Sequence, residues 1–167
     1  VSTNYHVIDE KGVLLRSDRR ADLQEVVEYF LKFGNVLGGH TQVMYRRSDA
    51  LAVGGYNESY RVAEDYDLWT RLAARGGVVI LPFFGMRYRL HPSSISAGAT
   101  SEMRMTGAHV VQRELGRLLE REIRIEEAIA VRVVSGGQLE LVAGPLSAVV
   151  ATAHRIFAEG FERVAAR

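Results

Sequence analysis

The sequence predicts an α/β fold, and three observations support this class. β-prone runs and amphipathic stretches alternate over the first half of the chain. The 167 residues are enough for a domain that buries a sizeable core. The last third instead carries long apolar stripes at helical spacing. We therefore expect a sheet with flanking helices over 1–98, followed by a helical C-terminal region over 99–167.

The first half begins with an expected β-hairpin over 4–15, because two β-prone runs flank a polar turn that ends in glycine. A helix is expected over 22–33, where apolar residues recur at steps of three and four. The pair Gly38-Gly39 then precedes an expected short strand over 42–45. A short helix over 46–53 follows, and the next two glycines close it.

The middle of the chain predicts one helix and two short strands. The helix is expected from Glu64 to the glycine pair at 76–77. A continuous apolar strand over 78–81 follows, and Pro82 is expected to stop it. A second strand over 86–90 alternates in character and leads into His91.

The C-terminal region predicts three helices. The first two are expected over 102–122 and 123–134, with a break at 135–137. The third is expected to begin at Pro145, which suits the start of a helix, and it carries a clear amphipathic stripe. The stretch 138–142 is ambiguous between strand and helix.

The composition excludes several classes of function. With 21 basic and 20 acidic side chains the net charge is +1, which gives no electrostatic argument for nucleic acid as a partner. The chain has no cysteine, so disulfides and thiolate metal sites are excluded. No apolar run reaches the ~18 residues that a transmembrane helix needs. A soluble globular domain remains, with 47% hydrophobic residues.

The most informative segment is the acidic run 63–69, AEDYDLW. It falls in the first turn of the expected helix, where Asp65, Leu68 and Trp69 share one face and Asp67 points to the other. Exposed N–H groups at a helix N-terminus are expected to stabilise the Asp65 anion. A fixed carboxylate beside an apolar surface suits a general base. The alternative is that these acids only complement the helix dipole.

Four segments in this order resemble the C-terminal half of the bacterial inverting glycosyltransferases of family 2, which have the GT-A nucleotide-diphospho-sugar transferase fold. The resemblance covers about residues 1–96 and rests on motif order. The segments are GHTQVMYRR (39–47), VGGYNE (53–58), AEDYDLWTRL (63–72) and YRLHPSSIS (88–96). The resemblance implies a partial GT-A sheet that carries the acceptor side of the active site.

The resemblance also implies roles for individual residues. Asp65 matches the catalytic base, which takes a proton from the acceptor hydroxyl, and Glu64 would help to position the acceptor. Gly39 and His40 match the segment that lies beside the donor sugar. His91 matches a histidine that approaches the metal and diphosphate in some relatives. Of the serines that follow it, Ser94 would bind substrate by donating a hydroxyl to phosphate or sugar.

Such an enzyme takes a nucleotide-sugar donor, a glycan or lipid-linked hydroxyl acceptor, and a divalent cation, Mg²⁺ or Mn²⁺. In the family an Asp-x-Asp signature after a buried strand binds that cation. Asp65 and Asp67 have this spacing but lie in a helical pattern, so we interpret the match as coincidental. The expected location is the cytoplasm or the inner face of the membrane.

The motif order leaves the nucleotide-binding half of the family without a counterpart in this sequence, which begins with Val1. We therefore expect a segment of a longer enzyme that does not transfer sugar by itself. A sheet cut in this way exposes an edge and an apolar face, which favours a homodimer or a cover formed by the C-terminal helices.

Two alternatives to an enzyme stay open. The chain could be a non-catalytic module that binds glycan or protein, or an assembly domain that works through its C-terminal helices. Single residues also have purely structural explanations. His91, beside Pro92, could simply cap a turn, and His40 could simply fill a loop. Trp69 fits the hydrophobic core better than a surface on which a sugar stacks.

Overall fold

The computed structural model describes residues 1–20, 22–92, 100–136 and 144–166. These residues form a small three-stranded mixed sheet, six α-helices and one 3-10 turn, which confirms the α/β class. The GT-A topology itself stays a prediction. The elements, in chain order, are β1 (Ser2–Ile8), β2 (Leu14–Asp18), α1 (Gln24–Leu31), the 3-10 helix His40–Gln42, α2 (Arg47–Ala52), α3 (Glu64–Gly76), β3 (Ile80–Arg89), α4 (Thr100–Leu119), α5 (Ile125–Gly136) and α6 (Leu146–Ala165).

The chain packs as two compact units. The first contains Val1–Leu31 and Asn35–Met103, and the second contains Lys32–Gly34 and Arg104–Arg167. The sheet, α1, α2 and α3 belong to the first unit, and α4, α5 and α6 make up almost all of the second. In the described residues, no helix is both long and apolar enough to cross a membrane.

The sheet has the strand order β2-β1-β3. β1 and β2 form the expected antiparallel hairpin, which places Tyr5 opposite Asp18. β1 and β3 run parallel, from Ser2 opposite Ile80 to Ile8 opposite Arg89. The sheet is therefore mixed, with β1 in the middle of its described part.

The expectation of two strands separated at Pro82 was wrong, because β3 is a single strand. Its register against β1 jumps from Leu81 to Phe84, so Pro82 lies in a bulge. Proline is tolerated at bulges and on edge strands, since its missing N–H then breaks no regular ladder. A second irregularity surrounds Gly85, where a Cβ would lie 2.6 Å from Oγ1 of Thr3. Only glycine allows this close approach of the two strands.

The expected strand over 42–45 was also wrong. The chain there forms the 3-10 helix His40–Gln42 and a single isolated bridge between Ser2 and Val43. The buried side chain of Gln42 explains the turn, because its Nε2 donates to the carbonyl of Leu37 at 3.0 Å. That local bond competes with strand pairing.

The first unit buries only part of the predicted helical stripes, because Leu23 and Phe30 are exposed. Val7, Val27, Leu68 and Trp69 are almost completely buried. α3 has the predicted bounds, and α1 and α2 lie within theirs. Tyr66, also buried, donates its hydroxyl to the carbonyl of Leu31 at 2.9 Å, which satisfies its polar end.

The second unit confirms the three expected helices with shifted ends. α5 continues to Gly136, past the expected break at 135. Leu115, Val131 and Ile156 are fully buried, one from each helix. Phe33 belongs to this unit and packs on Phe157, with ring centroids 4.9 Å apart. The ambiguous stretch 138–142 lies outside the described residues.

Candidate active site

The backbone before α3 places two carboxylates at the start of the helix. Ala63 is the N-cap and adopts the left-handed conformation, with φ 56° and ψ 19°. This conformation costs a residue with a Cβ about 1–2 kcal/mol. Glu64 and Asp65 follow directly in the first helical turn. Backbone strain of this kind concentrates at functional sites, where the surrounding structure holds it in place.

Asp65 is partly buried, and its two carboxylate oxygens have different surroundings. Oδ1 accepts the backbone N–H of Tyr66 at 2.6 Å. Oδ2 lies at the longer distance of 3.5 Å from the amide nitrogen Nδ2 of Asn35. A Cβ built on Gly39 would lie 3.9 Å from the same oxygen, so the Gly39 backbone runs beside it. Oδ2 is thus the less strongly bound oxygen.

Burial raises the pKa of Asp65 above its usual value. The hydrogen bond from Tyr66 and the charge of His40 act in the opposite direction, and the charge of Glu64 adds to the rise. The expectation that the helix N-terminus would favour the anion was therefore wrong in its net result. Here the loss of solvation raises the pKa of Asp65 by more than the N–H groups lower it. A carboxylate with a raised pKa is a stronger proton acceptor.

His40 and Glu64 lie next to this carboxylate. Nε2 of His40 is 3.6 Å from Oε1 of Glu64, and both side chains are partly exposed. The His40 ring lies 5.4 Å from the ring of Tyr56 and 6.0 Å from that of Trp69. The structure thus brings together four of the residues singled out in the sequence. We call Gly39, His40, Glu64 and Asp65 the Asp65 cluster.

An aromatic group borders the Asp65 cluster. The hydroxyls of Tyr45 and Tyr56 are 3.2 Å apart, and both residues are 39% exposed. Burial, the hydrogen bond with Tyr45 and the nearby carboxylates raise the pKa of Tyr56, so its hydroxyl stays protonated. Trp69 is only 1% exposed and donates Nε1 to the carbonyl of Gly38 at 2.9 Å. It is a core residue, as expected.

No sequence motif predicted a role for Asn35, Tyr45 or Tyr56. Asn35 accepts the N–H groups of Leu37 and Gly38 through Oδ1, which fixes its amide toward Asp65. A single asparagine after a glycine gives no signal of such a role. The two tyrosines lie inside the motif segments, but nothing in their spacing predicts that their hydroxyls meet.

Asp67 has a different environment from Asp65. It is completely buried, and its Oδ2 accepts Nε of Arg71 at 3.0 Å. Arg71 also donates Nη1 to the carbonyl of Val53 at 2.6 Å. Asp67 therefore belongs to the packing of α3, which agrees with the interpretation that its Asp-x-Asp spacing with Asp65 is coincidental.

Two predicted site residues, His91 and Ser94, come after β3 in the chain. His91 is exposed and follows the end of β3. Ser94 lies outside the described residues. Among 1–20, 22–92, 100–136 and 144–166, no three His, Asp or Glu side chains group closely enough to hold a metal ion. The described residues therefore supply no metal site by themselves, and we derive no step through the metal that the resemblance implies.

The arrangement can accept a proton from a group that reaches Oδ2 of Asp65. It offers a half-buried carboxylate, an imidazole–carboxylate pair and two partly exposed phenol rings within one surface. Comparison with protein-family models, curated proteins and solved structures gives no match. The chemical interpretation rests on the geometry of this site.

Proposed function

We propose that this chain is the acceptor side of an inverting glycosyltransferase in which Asp65 is the general base. The observation that carries the proposal is the environment of Asp65. Its carboxylate is held at the start of α3, its pKa is raised by burial, and Oδ2 has only a long contact with Asn35. These are the properties of a positioned proton acceptor.

In the proposed reaction an acceptor hydroxyl lies against Oδ2 of Asp65. The carboxylate takes the hydroxyl proton while the oxygen attacks the anomeric carbon of the donor sugar from the face opposite the leaving group. The new C–O bond forms as the bond to the nucleoside diphosphate breaks, which inverts the anomeric centre. A positioned base of this kind contributes roughly 10²–10⁴-fold to the rate.

The neighbouring residues support acceptor binding in this proposal. Glu64 and His40 present a carboxylate and an imidazole that can hydrogen-bond to sugar hydroxyls. Tyr45 and Tyr56 add partly exposed rings, which can pack on the apolar face of a sugar, and hydroxyls at their edges. The backbone of Gly39 allows close approach beside Asp65. The donor sugar is proposed to lie on this side.

The nucleotide-sugar donor, a divalent cation (Mg²⁺ or Mn²⁺) and a glycan or lipid-linked acceptor are proposed partners of the complete enzyme. Action at the cytoplasmic face of a membrane is part of the same proposal. Each depends on the resemblance of the motif segments and not on a contact described here.

The test compares Asp65→Asn with Asp49→Asn in the enzyme that contains this chain. Asp49 lies on α2, is about 40% exposed and has only a 3.5 Å contact with Arg75. Release of nucleoside diphosphate is measured over a panel of nucleotide sugars and hydroxyl acceptors. Asp65→Asn is expected to lower turnover by roughly 10²–10⁴-fold, and Asp49→Asn to leave it near wild type.

A binding module is separated from an enzyme by a second measurement on the isolated chain. Methyl glycosides are titrated while the backbone amides of His40, Glu64 and Asp65 are followed by NMR. Saturable shifts there, combined with loss of turnover in Asp65→Asn, support the transferase. Glycan binding with no turnover over the panel would instead favour a non-catalytic module. Near-normal turnover of Asp65→Asn would show that Asp65 is not the general base.

A further inference from the structure

A second recess lies in the first unit, between the β-hairpin and α1. It has a volume of about 400 Å³, which falls in the range of small-molecule sites. Tyr5, Asp18 and Arg20 line its polar side. Val26, Val27 and Ile80 contribute to an apolar side. The cavity therefore has charged and hydrocarbon parts of its wall, and the wall includes Asn35, the contact of Asp65 Oδ2.

Arg20 lines this cavity, and one of its hydrogen-bond donors is unused. Its Nη1 is shielded from solvent and has no hydrogen-bond partner. In the described part of the chain, no carboxylate forms an ion pair with Arg20 within 4.0 Å. Leaving a shielded cationic donor without a hydrogen bond is costly, so a small shift that brings Nη1 to an acceptor in the cavity would be favourable.

Other contacts hold the Arg20 guanidinium in place. Its central carbon lies 4.7 Å from the centroid of the Tyr5 ring, a cation–π contact. Its backbone N–H donates to Oδ1 of Asn4 at 2.9 Å. A Cβ at Gly38 would lie 1.6 Å from Nε2 of Gln42 and 2.8 Å from Nη2 of Arg20, so the guanidinium lies close to the Gly38 backbone. The donor is thus pre-positioned before any ligand binds.

Asp18 limits the charge of the ligand. It accepts Nε of Arg16 at 2.9 Å, and this hydrogen bond lowers its pKa, with further contributions from Tyr5 and from the charges of Arg16 and Arg20. Asp18 is therefore a stable anion in the cavity wall that is hydrogen-bonded to Arg16 and also lies in the field of Arg20. A dianion such as a phosphate monoester would be repelled by it, whereas a single negative charge can be matched by Arg20.

We propose that this cavity binds a small amphiphilic carboxylate, with its carboxylate on the guanidinium of Arg20 and its hydrocarbon part against Val26, Val27 and Ile80. The site borders the Asp65 cluster at Asn35, and its occupation does not depend on glycosyl transfer. A charge-assisted hydrogen bond holds the head, and the apolar wall selects a hydrocarbon chain.

The test uses the full chain, labelled with ¹⁵N and titrated with hexanoate at neutral pH. Saturable shifts are expected at Tyr5, Asp18, Arg20 and Val27. Hexanamide, which has the same chain without the charge, and inorganic phosphate are the matched probes. Each is expected to bind at least roughly tenfold more weakly, because the charged hydrogen bond or the apolar contact is lost.

Two variants test the role of Arg20. Arg20→Gln is expected to weaken hexanoate binding by roughly tenfold or more. Arg19→Gln is the control, since Arg19 is the exposed neighbour that lies over Phe84 instead. Its hexanoate affinity should stay near wild type.

A further variant, Val26→Trp, tests the apolar wall of the cavity. It leaves the charges in place and should block binding by filling the cavity.

Several results would overturn the proposal. Equal binding of hexanoate and hexanamide would show that Arg20 does not select a charge. Tighter binding of phosphate would contradict the limit that Asp18 sets. Absence of shifts at the cavity residues, or unchanged affinity in folded Arg20→Gln or Val26→Trp, would show that the recess does not take a carboxylate.

Discussion

Asp67 and Arg71 form a buried ion pair across one turn of α3, with Nε of Arg71 3.0 Å from Oδ2 of Asp67. Asp65, two residues before Asp67, has no arginine among its described contacts and has its pKa raised by burial. Two carboxylates in one helical turn therefore have opposite roles. Asp67 is neutralised by its partner and fixes the helix, while Asp65 keeps its capacity to accept a proton.

The first prediction concerns Arg71→Met. Removing the guanidinium leaves a completely buried carboxylate without its partner, so we expect a loss of about 3 kcal/mol in the free energy of unfolding. Arg75→Met is the control, because Arg75 and Asp49 are both exposed and 3.5 Å apart. Urea denaturation should show a change of only about 0–1 kcal/mol for that variant. Equal losses would contradict the structural role of the Asp67–Arg71 pair.

The second prediction concerns pH. Because the folded protein holds the proton of Asp65 more tightly than the unfolded chain, stability is higher below the unfolded pKa and falls as pH rises through the raised folded pKa. Asp65→Asn removes this fall. The variant should be at least as stable as wild type at neutral pH, while it loses turnover. Thermal unfolding from acidic to neutral pH checks this, and a less stable Asp65→Asn at neutral pH would contradict it.

Sequence patterns predicted the helices better than the strands. α3 follows from the spacing of its apolar residues and the glycines after it, and the structure gives the predicted bounds. In place of β3 the pattern predicted two strands, because a proline such as Pro82 normally ends a regular ladder of strand hydrogen bonds. The bulge that accommodates Pro82 depends on pairing with β1, which starts at residue 2. Such a long-range register cannot be derived from local composition.

The candidate site shows the same limit. Motif order placed Gly39, His40, Glu64 and Asp65 together, and the structure has them in one cluster. The direction of the pKa shift of Asp65 could not be predicted, because burial depends on residues distant in sequence. Asn35 was missed for a related reason. It is 30 residues from Asp65 in sequence, and only folding brings the two side chains within 3.5 Å of each other.

The third prediction concerns Glu127 in α5, which is buried and bound by arginines. Arg121 and Arg155 contact its Oε1 at 3.1 and 3.4 Å, and Oε2 accepts the N–H of Arg124 at 3.0 Å. Burial alone would raise the pKa of Glu127, but these bonds outweigh it and the net pKa is lowered. Its contribution to stability is thus present above the unfolded pKa and is lost as pH falls through the folded pKa.

Glu127→Gln is therefore expected to destabilise the second unit by about 1–3 kcal/mol at neutral pH, with a smaller difference in acid. Hydrogen exchange of the α5 amides measures this unit directly. Glu126→Gln is the matched control, because Glu126 is the exposed neighbour in the same helical turn. If both variants exchange at the wild-type rate, the arginine contacts of Glu127 do not stabilise the unit.

The last prediction tests the strain at Ala63. Glycine adopts positive φ without the clash that a Cβ causes, so Ala63→Gly should stabilise the first unit by up to about 1 kcal/mol. Ala74→Gly is the control, because Ala74 is exposed inside α3 and should lose about 1 kcal/mol. Urea denaturation of both variants therefore gives changes of opposite sign. A loss in Ala63→Gly as large as that in Ala74→Gly would show that the left-handed conformation before Glu64 is not strained.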